Sequence, residues 1–93
     1  MKPRPALVLT FDADHDVLLA RITSKSYSEP GDISLVNWKE LGLMFPSTLR
    51  LSKLVTLKSE RVRRLIGHLT KEDRQKVLNG LHDFVSSLEK DKR

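Results

Sequence analysis

The chain contains no cysteine. A disulfide framework, a thiolate zinc site and a cysteine nucleophile are therefore excluded. Aromatic residues make up only 5% of the sequence, which argues against a broad base-stacking platform for nucleic acid. Long apolar runs are missing as well: the apolar stretch 6–9 is broken by Thr10 and ended by Asp12, so it is too short for a signal peptide or a membrane span. We therefore expect a soluble protein without a membrane partner.

The residues that are present suit one small domain covering residues 1–93. Apolar residues make up 39% and charged residues 31% of the sequence, which is enough apolar material for a thin core. Residues 1–47 contain five basic and six acidic side chains, whereas residues 48–93 contain twelve basic and six acidic ones. This asymmetry suggests a polyanionic partner, although solvated helix faces would produce it too.

Strands dominate the first two thirds of the chain. The predicted strands cover residues 6–11, 17–23, 32–36 and 48–57. The first two flank a short polar turn, so they form an antiparallel hairpin. After the third strand, Asn37 is expected to cap a helical turn over residues 37–43, with Gly42 near its end.

Helices are expected towards the C-terminus. Ser59 is predicted to cap a helix over residues 60–66 that Gly67 ends, and Thr70 is predicted to cap the last helix. The apolar stripe expected on the last helix consists of Val77, Leu78, Leu81, Phe84 or Val85, and Leu88. Strands first and helices last predict a mainly β, α+β domain: a small barrel-like sheet with C-terminal helices.

Metal and phosphate-loop motifs are not found. His15, His68 and His82 have no second ligand at metal-binding spacing. The alternating aspartates of residues 12–16 resemble the start of a calcium loop, but the required glycine and the distal glutamate are absent. They are better explained as a polar turn that bonds its own backbone. No glycine-rich turn precedes a helix, and no elbow motif supports a serine nucleophile, although the sequence leaves a serine–histidine pair open. We expect no cofactor and no metal.

Hydroxyl and cationic side chains cluster at the predicted strand ends. They are Arg4, Arg21, Thr23, Ser24, Lys25, Ser47, Thr48, Arg50, Ser52 and Lys53. Such groups can bind and polarise a phosphodiester, although strand propensity and solubility also explain them. Arg61, Arg63 and Arg64 form either an RNA-facing patch or a solvated face.

Four segments, in order along the chain, resemble the MazF/PemK-like toxin family. They are Arg4-Pro5-Ala6-Leu7-Val8-Leu9; Ala20-Arg21-Ile22-Thr23-Ser24-Lys25; Asp32-Ile33-Ser34-Leu35 with Trp38, Gly42-Leu43 and the run 46–57; and Gly67-His68-Leu69-Thr70 with the closing helix. The resemblance implies an SH3-like β-barrel with a C-terminal helix. It also implies a homodimeric bacterial toxin of the cytoplasm that inhibits growth. This toxin would be a metal-independent endoribonuclease acting on single-stranded RNA such as mRNA, and a cognate antitoxin protein would block it.

The same resemblance implies roles for particular residues. Arg4 matches the family's catalytic arginine, which implies charge stabilisation and proton delivery, and Thr23 matches the active-site threonine, which positions a phosphate oxygen. Arg50 matches an arginine that acts in some members, but Ser52 stands where those members carry its acidic partner. The implied RNA-binding residues are Ser24, Lys25, Ser47, Ser52 and Lys53.

The N-terminus departs from the family pattern. Only residues 1–3 precede Arg4, where members usually have a further strand and a loop. The barrel is then expected to lack its first strand and its gating loop. Either the chain is a truncated member of the family with impaired function, or another chain covers the unpaired sheet edge. Two alternatives to the nuclease remain: a non-catalytic module that binds an antitoxin without cleaving RNA, and a gyrase-directed toxin on the same barrel fold.

Overall fold

The computed structural model describes residues 4–90, with the side chains of residues 89 and 90 left out. The first two strands, β1 (Ala6–Phe11) and β2 (Asp16–Thr23), form the expected antiparallel hairpin. In the turn, Asp12 Oδ1 accepts hydrogen bonds from the backbone amides of Asp14 at 2.9 Å and Asp16 at 3.0 Å. The aspartates therefore stabilise a turn, as predicted.

Two further strands, β3 (Asp32–Leu35) and β4 (Ser47–Lys58), complete an antiparallel sheet with the order β1-β2-β4-β3. The pairing of β4 with β2 is interrupted once. Ala20 pairs with Leu54 and the next residue, Arg21, pairs with Arg50, so three residues of β4 bulge out of the ladder. A bulge bends its strand and increases the local twist, and the sheet curls into a half-barrel.

The C-terminal helix, α1 (Lys71–Lys90), packs on β3 and β4. Thr70 caps it as predicted, because its Oγ1 accepts from the Asp73 amide at 3.1 Å. A Cβ at Gly80 would lie 2.5 Å from Cδ1 of Ile33, so a larger residue there would have to displace the end of the Ile33 side chain. The core cluster contains Ala20, Ile22, Leu35, Leu41, Leu49, Leu51 and Val77.

The helix stripe was predicted only in part. Val77 is buried, and Leu81 and Phe84 pack against the core cluster. Leu78, Val85 and Leu88 are each more than half exposed. The helix approaches the sheet on the side that carries Gly80, so the sheet covers only part of the apolar face of α1. The stripe that reaches the core is therefore narrower than expected.

The helix predicted over residues 60–66 is wrong. Only a 3₁₀ turn, Ser59–Arg61, forms there, and Ser59 makes no side-chain cap. The chain then continues without regular secondary structure to Thr70, because Gly67 passes against the backbone of Leu41 and Leu69 joins the core. A helix would carry these residues away from those contacts.

The helical turn after β3 forms, with a different role for its first residue. The Leu43 amide donates to the Trp38 carbonyl and the Gly42 amide to the Lys39 carbonyl, with Gly42 at φ +86°. This is the paired hydrogen-bond pattern of a glycine-ended helical turn. Asn37 uses its side-chain amide elsewhere, donating to Thr70 Oγ1 and Glu72 Oε1, so it ties the turn to the start of α1.

The mainly β class with a C-terminal helix is confirmed. In residues 4–90 the sheet is an open half-barrel in which β1 and β3 are the edge strands, and α1 is the one α-helix.

Candidate functional site

Antiparallel register brings the predicted residues to one end of the sheet. Arg21 on β2 pairs with Ala6 on one side and with Arg50 on the other, and Arg50 pairs in turn with Asp32. The Ile22 amide donates to the Pro5 carbonyl at 3.4 Å, so the β1–β2 pairing continues beyond Ala6. That continuation places Arg4 beside Thr23, which lies two residues along β2 from Arg21 and on the same face of the sheet.

A cavity of about 210 Å³ lies over these paired residues. Its lining consists of Arg4, Arg21, Thr23, Lys25, Tyr27 and Arg50. Four of the six lining residues are cationic and none is acidic, so the cavity suits an anionic group such as a phosphodiester. The three residues predicted to be catalytic, Arg4, Thr23 and Arg50, thus line one cavity.

Arg50 is held from three sides. Its Nε donates to Asp32 Oδ1 at 2.9 Å and its Nη2 to Asp32 Oδ2 at 3.4 Å, a two-point contact with a carboxylate that has no exposed side-chain surface. Nη2 also donates to Glu29 Oε1 at 3.1 Å. The Tyr27 ring covers the guanidinium, with its centroid 3.7 Å from Cζ. An arginine in this setting has one orientation.

The ion pair between Arg50 and Asp32 shifts the pKa values of both side chains. Burial raises the pKa of Asp32, but the hydrogen bonds from Arg50 and from the Glu29 amide, with the charges of Arg50 and Lys53, hold that pKa below its ordinary value. The hydrogen bond to Asp32 raises the pKa of Arg50 above its ordinary value, against the lowering effect of burial. Both groups are therefore charged at neutral pH.

The carboxylates of Asp32 and Glu29 also reduce the electrostatic repulsion within the cluster of positive charge. Arg21 and Arg50 face each other across β2 and β4, and like charges in that position repel. Asp32 and Glu29 offset this repulsion at Arg50 alone. Arg4, Arg21 and Lys25 form no ion pair with any of residues 4–88, so their charge is available to a ligand.

Thr23 is oriented by the backbone that follows it. Its Oγ1 accepts a hydrogen bond from the Lys25 amide at 3.2 Å. A hydroxyl that accepts one bond keeps its own proton to donate. Because Thr23 lines the cavity, this proton can reach an oxygen of a bound phosphate.

Only one of the five predicted RNA-binding residues lines the cavity. Lys25 lines the cavity, whereas the other four do not. Ser24 is exposed beside Thr23, and Ser47 donates to the Phe45 carbonyl at 2.7 Å. Ser52 and Lys53 lie in the bulge of β4, where Lys53 acts on Asp32 through its charge.

Three residues of the site were missed from the sequence. Tyr27 and Glu29 lie in the loop before β3, and Asp32 begins β3. The resemblance implies an acidic partner two residues after Arg50, where Ser52 stands, whereas the carboxylates come from a neighbouring strand and its loop. The available signal was a run of polar residues with one tyrosine and one acid, immediately before a short strand that itself begins with an acid.

The described part of the chain has neither a metal-binding cluster of side chains nor a helix suited to span a membrane. Residues 4–90 contain no group of three or more histidine, aspartate or glutamate side chains arranged to bind a metal ion. The helix in this range is not apolar enough over a sufficient length to cross a membrane.

Comparison with known proteins gives a family and a fold. A family profile described as "PemK-like, MazF-like toxin of type II toxin-antitoxin system" matches residues 1–85. Among solved structures, the "Crystal structure of Mtb toxin" is similar at a TM-score of 0.75 and 21% sequence identity, covering 87% of this chain and 91% of that chain. At this identity the similarity shows the fold alone. A search of curated proteins finds no match.

Proposed function

Because the chain belongs to the PemK-like, MazF-like toxins of type II toxin–antitoxin systems, we propose that it is an endoribonuclease that cleaves single-stranded RNA. Members of this family are generally endoribonucleases. The observation that carries the proposal is the shared cavity of Arg4 and Thr23, two residues far apart in the chain that meet across β1 and β2 among unpaired cations.

The proposed reaction needs no metal and no cofactor. The ribose 2′-oxygen forms a bond to the adjacent phosphorus and loses its proton, while the bond from phosphorus to the 5′-oxygen breaks and that oxygen takes up a proton. The products are a 2′,3′-cyclic phosphate and a 5′-hydroxyl. Negative charge builds up on the phosphoryl oxygens, and pre-oriented donors stabilise it.

Three side chains would supply that stabilisation. Arg4 offers a charged, planar fork to the phosphoryl oxygens, and Thr23 donates its hydroxyl proton to one of them. Arg50, fixed by Asp32, adds positive charge at the cavity floor and keeps the lining in place. Glu29 is 70% exposed at its side chain, so it can move aside if a phosphate approaches the Arg50 Nη2 atom.

The substrate would extend beyond the cavity. Lys25, which lines the cavity, would contact the phosphate backbone there. We assign Ser24, Ser47, Ser52 and Lys53 to lower-affinity contacts along the strand ends and the bulge of β4. Messenger RNA is the expected substrate, and the cytoplasm is the expected place of action.

The family implies an antitoxin partner. We propose in addition that the toxin is a homodimer. Exposed apolar side chains on β1 and β4 support this, because Phe11, Leu54 and Val55 are each more than two fifths exposed.

The experiment is RNA cleavage by the purified protein in EDTA, with analysis of the ends. We expect cuts in single-stranded RNA that leave a cyclic phosphate and a 5′-hydroxyl. Cleavage that requires a divalent ion, or that leaves a 5′-phosphate, would contradict the mechanism. An absence of cleavage under all ionic conditions would contradict the enzymatic function.

A second candidate function is a module that binds an antitoxin without turnover. The observation that favours it is the outer edge of β1, which has no strand partner among residues 4–90. Tight binding of the cognate antitoxin by a protein that cuts no RNA would select this function.

A further inference from the structure

Tyr27 is the only tyrosine of the chain and lines the cavity. One face of its ring lies on the Arg50 guanidinium, and 38% of the residue remains exposed. An aromatic ring left partly open beside free cations has a surface that water solvates poorly. This arrangement provides a flat apolar surface next to the cationic lining of the cavity.

The ring is also held in position from behind. Arg50 has little freedom, because Asp32 binds it at two points and Glu29 at a third. Stacking on a fixed guanidinium in turn restricts Tyr27. A surface ordered before the ligand arrives lowers the entropy lost on binding.

We propose that the open part of the Tyr27 ring stacks a nucleobase of single-stranded RNA, so that Tyr27 positions the nucleotide next to the scissile phosphate. The inference rests on the proposed function and adds a specificity-determining residue to it. Unpaired bases stack readily on aromatic side chains, whereas paired bases have no exposed face, so such a residue favours single strands.

The surroundings favour this role over simple coverage of Arg50. Arg4, Arg21 and Lys25 remain free of ion pairs with residues 4–88 and lie around the same cavity as the ring. A nucleotide combines one flat base with one anionic phosphate, which is the pair of features that this lining can bind together.

The test is a binding comparison with RNA that cannot be cleaved. The probe is a single-stranded RNA decamer with 2′-O-methyl sugars, used intact and as a series in which each base in turn is removed. We expect the parent protein to lose roughly 10-fold in affinity when the stacked base is absent. Tyr27→Leu should bind the intact decamer roughly 10-fold more weakly and be insensitive to removal of that base.

Controls separate stacking from a folding defect. Tyr27→Phe keeps the ring and should behave as the parent. A merely structural defect in Tyr27→Leu would weaken binding to intact and abasic decamers by the same factor at every position, and that result would overturn the inference. So would a parent that is insensitive to base removal at all positions.

The two proposals can fail separately. Cleavage of the same decamer with ordinary sugars tests the proposed function. If the parent cuts it but Tyr27→Leu keeps the parent's full sensitivity to every abasic site, the nuclease stands and the stacking role is wrong.

Discussion

The cavity contains Arg4, Arg21 and Arg50, and the segment after β4 contains Arg61, Arg63 and Arg64. Both regions hold three arginines, but they are built differently. Strand register fixes the first set around one concave site, and Asp32 and Glu29 neutralise its most buried member. The second set is exposed along a 3₁₀ turn and a segment without regular secondary structure, and makes no ion pair with residues 4–88.

The difference shows that clustered charge does not by itself make a site. Exposed arginines can attract a polyanion from any direction, but they give no fixed geometry. A cavity with aligned donors can stabilise a particular distribution of charge. We therefore expect substitution of the buried Arg50 to affect stability, substitutions of Arg4 and Thr23 to affect chemistry, and substitutions in the segment 61–64 to affect neither.

The largest effect on stability is expected for Arg50→Met. It leaves Asp32 buried without its partner, which costs far more than the loss of an exposed charge. We expect the melting temperature to fall by roughly 10 °C. Arg64→Met is the matched control on the exposed segment, and should shift the melting temperature by no more than about 3 °C. Equal shifts in the two variants would remove the structural distinction between the regions.

A smaller effect is expected on the pH dependence of stability. The pKa of Asp32 is lowered in the fold, so its contribution is complete above the unfolded carboxyl pKa near ~4 and is lost as the pH falls through the lowered folded value. Asp32→Asn should therefore lose less of its stability than the parent as the pH falls below ~4. Urea midpoints measured across that range test this, with Asp14→Asn in the exposed turn as control. A parent and an Asp32→Asn variant with parallel profiles would contradict the ion-pair account.

The smallest effect is expected for the double variant Arg63→Ala, Arg64→Ala. Because these side chains have no fixed site, the salt dependence of RNA binding should stay as in the parent. Arg21→Ala should reduce the slope of log affinity against log salt by ~0.7, which corresponds to one lost phosphate contact on single-stranded RNA. A larger reduction in the double variant than in Arg21→Ala would place the RNA on the segment 61–64 instead.

The parts of the fold that could be predicted are those fixed by local chemistry. The β1–β2 hairpin followed from two β-rich runs around an aspartate turn, and α1 followed from Thr70 as its cap. The hairpin register then brings Arg4 beside Thr23, and these two, with Lys25 and Arg50, make four of the six cavity residues that were predicted as site residues. These features depend on neighbours close in the chain.

The rest depends on residues that are distant in the chain. Nothing local indicates that Arg50 is buried, or that its carboxylate partner is Asp32 across β3 and β4. The prediction of a helix over residues 60–66 was wrong for the same reason. Its residues suit a helix locally, but the contact of Gly67 with Leu41 keeps the chain extended.

The most direct test of the central claim measures the cleavage rate of one single-stranded RNA by Arg4→Ala, Thr23→Val and Arg64→Ala. Arg4 and Thr23 line the cavity, whereas Arg64 lies outside it and is exposed. The account predicts a loss of about 10²- to 10³-fold for each cavity variant, with unchanged melting temperatures, and less than about twofold for Arg64→Ala. Cavity variants that cleave as fast as the parent would contradict it.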